Sequence, residues 1–179
     1  MPVESALVIL IPEAEPLVGS FRAEYDPSAA VGIPAHVTVI YPFKPPRDLS
    51  AVVLRRLDDL FAGFPAFQAA FTELQRFPNV LYLSPEPADP FRRLIRTVAD
   101  RFPEALPYGG EFTEIIPHLT VAQVAEPERL KEIAAAFARA AKDRLPIPAK
   151  ISEIVLMENS SGYWQIRRRF PLKTGAGVG

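Results

Sequence analysis

The chain has 179 residues, enough for one compact domain with a substantial core. Apolar residues make up 49% and charged residues 23%, and 20 basic against 21 acidic residues leave a net charge of -1, an ordinary globular balance. That balance excludes a protein that wraps long duplex DNA by neutralising many phosphates, while a small anionic ligand or one RNA end stays open. There is no cysteine, which excludes disulfides, thiolate zinc sites and a cysteine nucleophile, and makes the cytoplasm the expected location. The first apolar run, 6–11, stops at Pro12; it is too short for a signal segment or a membrane span, reads as a strand, and predicts no membrane association.

Twenty prolines delimit most of the elements. Residues 7–11 form a β-type run, and 13–25 place Leu17, Phe21 and Tyr25 on one helical face. Residues 36–41 are strongly β-branched. Asp48 is the expected cap of a helix carrying Leu49, Val53, Leu57 and Leu60 and ending near Gly63. Residues 67–74 alternate as a strand, and a turn at Pro78-Asn79 leads to a strand over 80–83. The order then restarts. Asp89 as N-cap and Pro90 at the first helical position open a helix with Phe91, Leu94, Val98 and Phe102 inward. A loop over 103–117, a strand over 118–124 and an alanine-rich helix over 126–142 follow, the helix burying Leu130, Ile133 and Phe137. Strands at 151–157 and 163–170 flank the loop Asn159-Ser160-Ser161-Gly162. Each half therefore reads strand, helix, strand, helix, strand. This predicts one duplicated domain with lobes at 1–78 and 79–171 and a flexible tail at 172–179.

The chain has two histidines, and each heads the same pattern: His36-Val37-Thr38-Val39 and His118-Leu119-Thr120-Val121. With six threonines in the chain, the chance of both histidines carrying Thr two positions on is on the order of one in a thousand. In a strand, residues i and i+2 share a face, so each histidine points with its threonine while the intervening apolar residues pack on the other side. Two such strands meeting around a cleft offer two imidazoles and two hydroxyls to one ligand. Neutral imidazole can take a proton from an attacking oxygen, imidazolium can give one to a leaving oxygen, and the hydroxyls can bond non-bridging phosphate oxygens.

These paired motifs resemble the 2H phosphoesterase superfamily, which contains 2′-5′ RNA ligase-like proteins and cyclic nucleotide phosphodiesterases. The resemblance extends through the first strand, the HVTVIYPF run, the VLYLSP strand, the PHLTVAQ run and the closing W-x-I-x-x-x-F strand. It implies an α+β bilobal fold, each lobe an antiparallel-rich sheet with helices outside and one HxT strand facing a central cleft. It also implies His36 and His118 as the catalytic pair, Thr38 and Thr120 as phosphate-binding hydroxyls, and no metal or other cofactor. The substrate class it implies is a 2′,3′-cyclic phosphate, a related cyclic phosphate or a 2′-5′ linkage, on a small nucleotide or an RNA terminus. A monomer is expected. The chain departs from the pattern at Gln123, where many bacterial members carry arginine; Arg167, Arg168, Arg169, Lys44 and Arg22 are the candidates to supply that charge.

Tyr41, Phe43 and Trp164 are candidates to stack a nucleobase or to pack in the core. Trp164, Ile166 and Phe170 share one face of the last strand by alternation, which assigns them to the core and turns Gln165, Arg167 and Arg169 towards a groove or solvent. Tyr82 is expected to pack half-buried. Two histidines without Cys or acidic partners at ligand spacing make too few ligands for a closed zinc site. Two other readings share the pattern: a module that binds a nucleotide or RNA end without turnover, and ATP-independent RNA ligation, the reverse reaction in the same cleft.

Overall fold

The computed structural model describes residues 2–105 and 115–175. Among them the order is β1 (Ser5–Leu10), α1 (Glu15–Tyr25), α2 (Pro27–Ala30), β2 (His36–Ile40), α3 (Ala51–Ala62), β3 (Phe67–Phe77) and β4 (Val80–Glu86). Then come α4 (Asp89–Arg101), β5 (Leu119–Gln123), α5 (Pro127–Ala140), β6 (Ile147–Ile151), β7 (Glu153–Glu158) and β8 (Gln165–Pro171). The strands form one antiparallel sheet in the order β6-β3-β4-β5-β2-β1-β7-β8. This is the α+β architecture expected from the sequence.

One face of the sheet is apolar along both central strands, with Val37, Val39, Leu119 and Val121 buried against Leu17 and Val18 of α1, Leu57 and Phe61 of α3, Leu94 and Val98 of α4, and Ile133 and Phe137 of α5. Helix α1 lies over β5 and α4 over β2, so each helix covers the motif strand of the other half. Burying one helical stripe on one sheet face is the usual way such a layer closes. The opposite face carries a small cluster, Ala6, Val8, Ile33, Val155, Met157 and Trp164, and is otherwise open around the seam between β2 and β5.

The sheet does not divide at residue 78. Strand β3 pairs with β4 through the 78–79 turn, and β7 pairs with β1, so each side of the seam takes strands from both sequence halves. Antiparallel neighbours joined by a tight turn stay together, and the lobes at 1–78 and 79–171 give way to two interleaved four-stranded halves of a single sheet. Residues 172 and 173, placed in the tail by the sequence, are held in the fold. Leu172 is buried, its N–H donates to the Ser152 carbonyl at 2.9 Å, and Lys173 bridges to Phe64 and Ala66. Residues 176–179 of that tail, and 106–114 of the expected loop, lie outside the described residues.

Several local assignments change for identifiable reasons. Ser50, not Asp48, caps α3, its Oγ accepting from Val53 N–H at 3.3 Å, because Asp48 closes a short 3-10 turn. Asp89 is the first residue of α4 rather than its cap. Strand β6 carries Pro146 just before it and Pro148 within it; it is a strand nonetheless because it sits at the sheet edge, where a missing N–H costs no ladder bond. In β8 a bulge falls between the pairs Met157–Ile166 and Leu156–Arg168 and reverses the alternation. Phe170 is therefore buried while Ile166 is exposed.

Candidate active site

Strands β2 and β5 meet at one registered pair, Val37 opposite Leu119. Because the strands are antiparallel, a step along one is a step back along the other. The register sets His36 across from Thr120 and Thr38 across from His118, all four on the face opposite buried Val37 and Leu119. Directly opposed Cβ atoms lie roughly 5 Å apart and diagonal ones roughly 7–8 Å, so the imidazoles occupy one diagonal of a small quadrilateral and the hydroxyls the other.

Both rings are seated identically. Nδ1 of His36 bonds the Pro34 carbonyl and Nδ1 of His118 the Ile116 carbonyl, each at 2.8 Å. A carbonyl only accepts, so Nδ1 carries the proton in each neutral ring and Nε2 is left as the lone-pair nitrogen facing outward.

The surroundings of the two rings differ. Burial pushes the His36 imidazole down to about 4, opposed by the Pro34 carbonyl and reinforced by the Arg22 guanidinium. Behind His36, Arg22 is buried and donates to Asp26 Oδ2 at 3.0 Å, Ser28 Oγ at 3.1 Å and the Ile33 carbonyl at 2.9 Å. Glu15 Oε1 accepts the Ala35 N–H at 2.7 Å. Residues on both sides of Pro34 are thereby pinned to α1. His118 instead meets the rings of Phe77 at 5.3 Å and Tyr82 at 5.5 Å, both edge to face, and those two rings stack on each other at 4.4 Å. Tyr82 is buried, which raises its phenol above the ordinary value.

A cavity of about 490 Å³ opens beside this group, and His36, Thr38, Thr120, Gln123, Tyr41 and Trp164 all line it. Gly32 lies next to Val31 and Ile33, which line the cavity. At φ +102° it lies in the region open to glycine, and a Cβ there would stand 2.5 Å from the Tyr163 ring. That close approach seats the 163–164 segment, with Trp164 N–H donating to the Val31 carbonyl at 2.9 Å. Tyr41 tilts against Trp164 at 6.0 Å.

The other residues singled out from the sequence go elsewhere. Phe43 is buried and packs edge to face on Phe102 at 5.2 Å, a core role. Arg167 and Arg169 stand on the edge strand β8, Arg167 reaching the Pro46 carbonyl at 3.5 Å and Arg169 paired with Glu153 at 2.7 Å. Arg168 pairs with Asp58, Lys44 pairs with Glu104 at 3.0 Å, and Arg22 is committed inside. None of the five cations lines the cavity. No sequence pattern marks Phe77 or Glu4, which also lines the cavity, because both reach the site through pairing between distant segments; the Arg22–Asp26 pair sits at helical spacing and only the packing around it buries it. Among the described residues no three His, Cys, Asp or Glu side chains are grouped to hold a metal, and no helix is long and apolar enough to cross a membrane.

A family model described as the 2′-5′ RNA ligase superfamily matches residues 11–162. Among solved structures, E. coli LigT complexed with 3′-AMP superposes with a TM-score of 0.63 at 15% identity, over 96% of this chain and 99% of that one. A protein of Thermus thermophilus superposes with a TM-score of 0.61 at 14% identity, over 96% and 99%. E. coli LigT complexed with NADP+ gives 0.57 at 18%, over 96% and 98%. At these identities the likeness establishes the fold. Among curated proteins none matches the chain significantly.

Proposed function

The chain belongs to the 2′-5′ RNA ligase superfamily, matched over residues 11–162, and on that premise we propose that it is a metal-independent phosphoesterase that opens a 2′,3′-cyclic phosphate at a nucleotide or RNA end. The observation that carries this reading is the crossed arrangement of two identically seated imidazoles and two hydroxyls on one face. Such a group has what an in-line displacement at phosphorus needs: a base on one side, an acid on the other, and donors for the oxygens between.

His36 enters neutral, since its burial holds the ring uncharged at physiological pH. Its Nε2 takes a proton from the attacking water as the water oxygen bonds to phosphorus. The bond from phosphorus to one ribose oxygen breaks, and His118, entering as imidazolium, gives its Nε2 proton to that oxygen. Thr38 and Thr120 donate to the non-bridging oxygens. The product is a phosphomonoester with a free neighbouring hydroxyl, and exchange with solvent returns each ring to its starting state. Run in the same direction with an RNA 5′-hydroxyl attacking phosphorus in place of water, the step leaves a phosphodiester and is ligation.

Hydrolysis of the four nucleoside 2′,3′-cyclic monophosphates with EDTA present, by the wild type, His36→Ala and His118→Ala, tests the reading. EDTA-resistant turnover, lowered at least ~10²-fold by either substitution, is the expected result. Turnover that either substitution leaves unchanged overturns it. A second reading, a module that holds a nucleotide or RNA end without turning it over, is favoured by one observation: the uncharged Gln123 lines the cavity, and among the described residues that line it none is Lys or Arg. Histidine-dependent binding without product in the same experiment selects that reading.

A further inference from the structure

Among the described residues, two carboxylates line the cavity, Glu4 and Asp26. Asp26 is spent: its oxygens accept from Arg22 Nε at 3.0 Å, Ser28 N–H at 3.0 Å and Ser28 Oγ at 2.8 Å. Glu4 is not. Its Oε2 accepts the Tyr41 hydroxyl at 2.6 Å, and a carboxylate has about four lone-pair sites to fill. Its backbone is clamped from both sides by Asn159, which is buried: Glu4 N–H donates to Asn159 Oδ1 at 2.7 Å, and Asn159 N–H donates to the Glu4 carbonyl at 3.2 Å. The result is an anionic acceptor on a fixed backbone, tied to an aromatic ring that is 46% exposed and backed by Trp164.

From this juxtaposition we propose that the cavity is a nucleobase site selecting guanine, with Glu4 accepting from the Watson–Crick edge and Tyr41 covering a ring face. The proposal rests on the reading above for the phosphate end. Guanine alone among the four bases presents two adjacent parallel donors, N1–H and the 2-amino group, that match the two oxygens of a carboxylate as an arginine fork does. Adenine and cytosine offer one amine beside a ring nitrogen whose lone pair faces the carboxylate. Uracil offers one N–H between two carbonyls. The spacing fits a single nucleotide: Val8 is registered with Thr38, and four residues of extended chain back to Glu4 span ~13 Å. That exceeds the screening length of ~8 Å at physiological ionic strength, so the carboxylate does not oppose a phosphate bound at the threonines. An aromatic face beside a fixed acceptor is a general means of holding an unpaired base.

Titration of the intact protein with the four nucleoside 3′-monophosphates, followed by calorimetry, tests the proposal. The guanosine nucleotide is expected to bind about tenfold or more tighter than the uridine nucleotide, the discrimination a bidentate pair supplies. Glu4→Gln and Glu4→Ala should bring all four nucleotides within about threefold of one another, while competition by inorganic phosphate stays as in the wild type and shows that fold and phosphate end are intact. Four wild-type affinities within twofold, a guanine preference that survives both substitutions, or no binding of any of the four overturns the proposal. The two readings fail separately. Cyclic-phosphate turnover with no base preference removes the guanine site and leaves the reaction; guanine-selective binding without turnover removes the reaction and leaves the site.

Discussion

His36 and His118 each donate Nδ1–H to the carbonyl two residues upstream, at 2.8 Å in both strands, and each shares its face with a threonine two residues on. What stands behind them is not shared. His36 backs onto a buried guanidinium–carboxylate network anchored in α1 and α2, whereas His118 sits against the stacked rings of Phe77 and Tyr82. The two rings share their seating and differ in what packs behind them. Under the proposed reaction the base must enter neutral, and burial of His36 favours that form of its ring.

Removing either ring tests the division most severely. His36→Ala and His118→Ala should each lower kcat by ~10²–10⁴-fold, and the double substitution should do little more damage than the worse single one, because an acid and a base acting in one step are not additive. Steady-state turnover of a cyclic nucleotide measures this, and additive losses would separate the two residues. Next in size, Arg22→Ala strands the buried Asp26 carboxylate and should destabilise the fold by about 3–5 kcal/mol in denaturant unfolding. Arg22→Met together with Asp26→Leu should recover most of that loss, which a role for Arg22 in contacting substrate would not allow.

The histidine asymmetry also predicts a pH dependence of folding. The folded ring titrates near 4, below its ordinary 6.5, so the unfolded chain binds the proton more readily. Stability from this group is complete above about pH 6.5 and is lost as pH falls through about 4, by at most about 3 kcal/mol. The acid limb of the stability curve should flatten in His36→Asn. Smallest, Thr38→Val and Thr120→Val should each cost up to ~10²-fold in kcat/KM and by similar factors, since the crossed register gives the two hydroxyls equivalent places. A loss confined to one of them would break the symmetry of the phosphate seat.

Much of the candidate site was legible in the sequence because a two-residue period and the presence of two histidines in the whole chain both pointed to the same tetrapeptides. The helices were legible from their apolar stripes. What was hidden required pairing between distant segments. No local pattern says that Thr120, rather than His118, faces His36; one registered pair between β2 and β5 decides it. Pro146 and Pro148 concealed β6, whose edge position makes them harmless, and the four residues of α2 are too few to show a period. The bulge in β8 moved Ile166 outward against the alternation that grouped it with Phe170. Arg22 reads as one more polar residue of an amphipathic helix until the packing buries it. Glu4 precedes the first strand with no motif around it, and its place in the cavity follows from Asn159, at the other end of the chain.

The most direct test of the central claim is the pH profile of kcat/KM for 2′,3′-cyclic nucleotide hydrolysis with EDTA present, in the wild type and in the two histidine variants. The account predicts a bell whose acid limb lies near pH 4, the position set by His36, and whose acid limb disappears in the residual activity of His36→Ala while the basic limb disappears in that of His118→Ala. An acid limb that survives loss of His36, or turnover within a few fold of wild type in either variant, would contradict the division of acid and base between the two motifs.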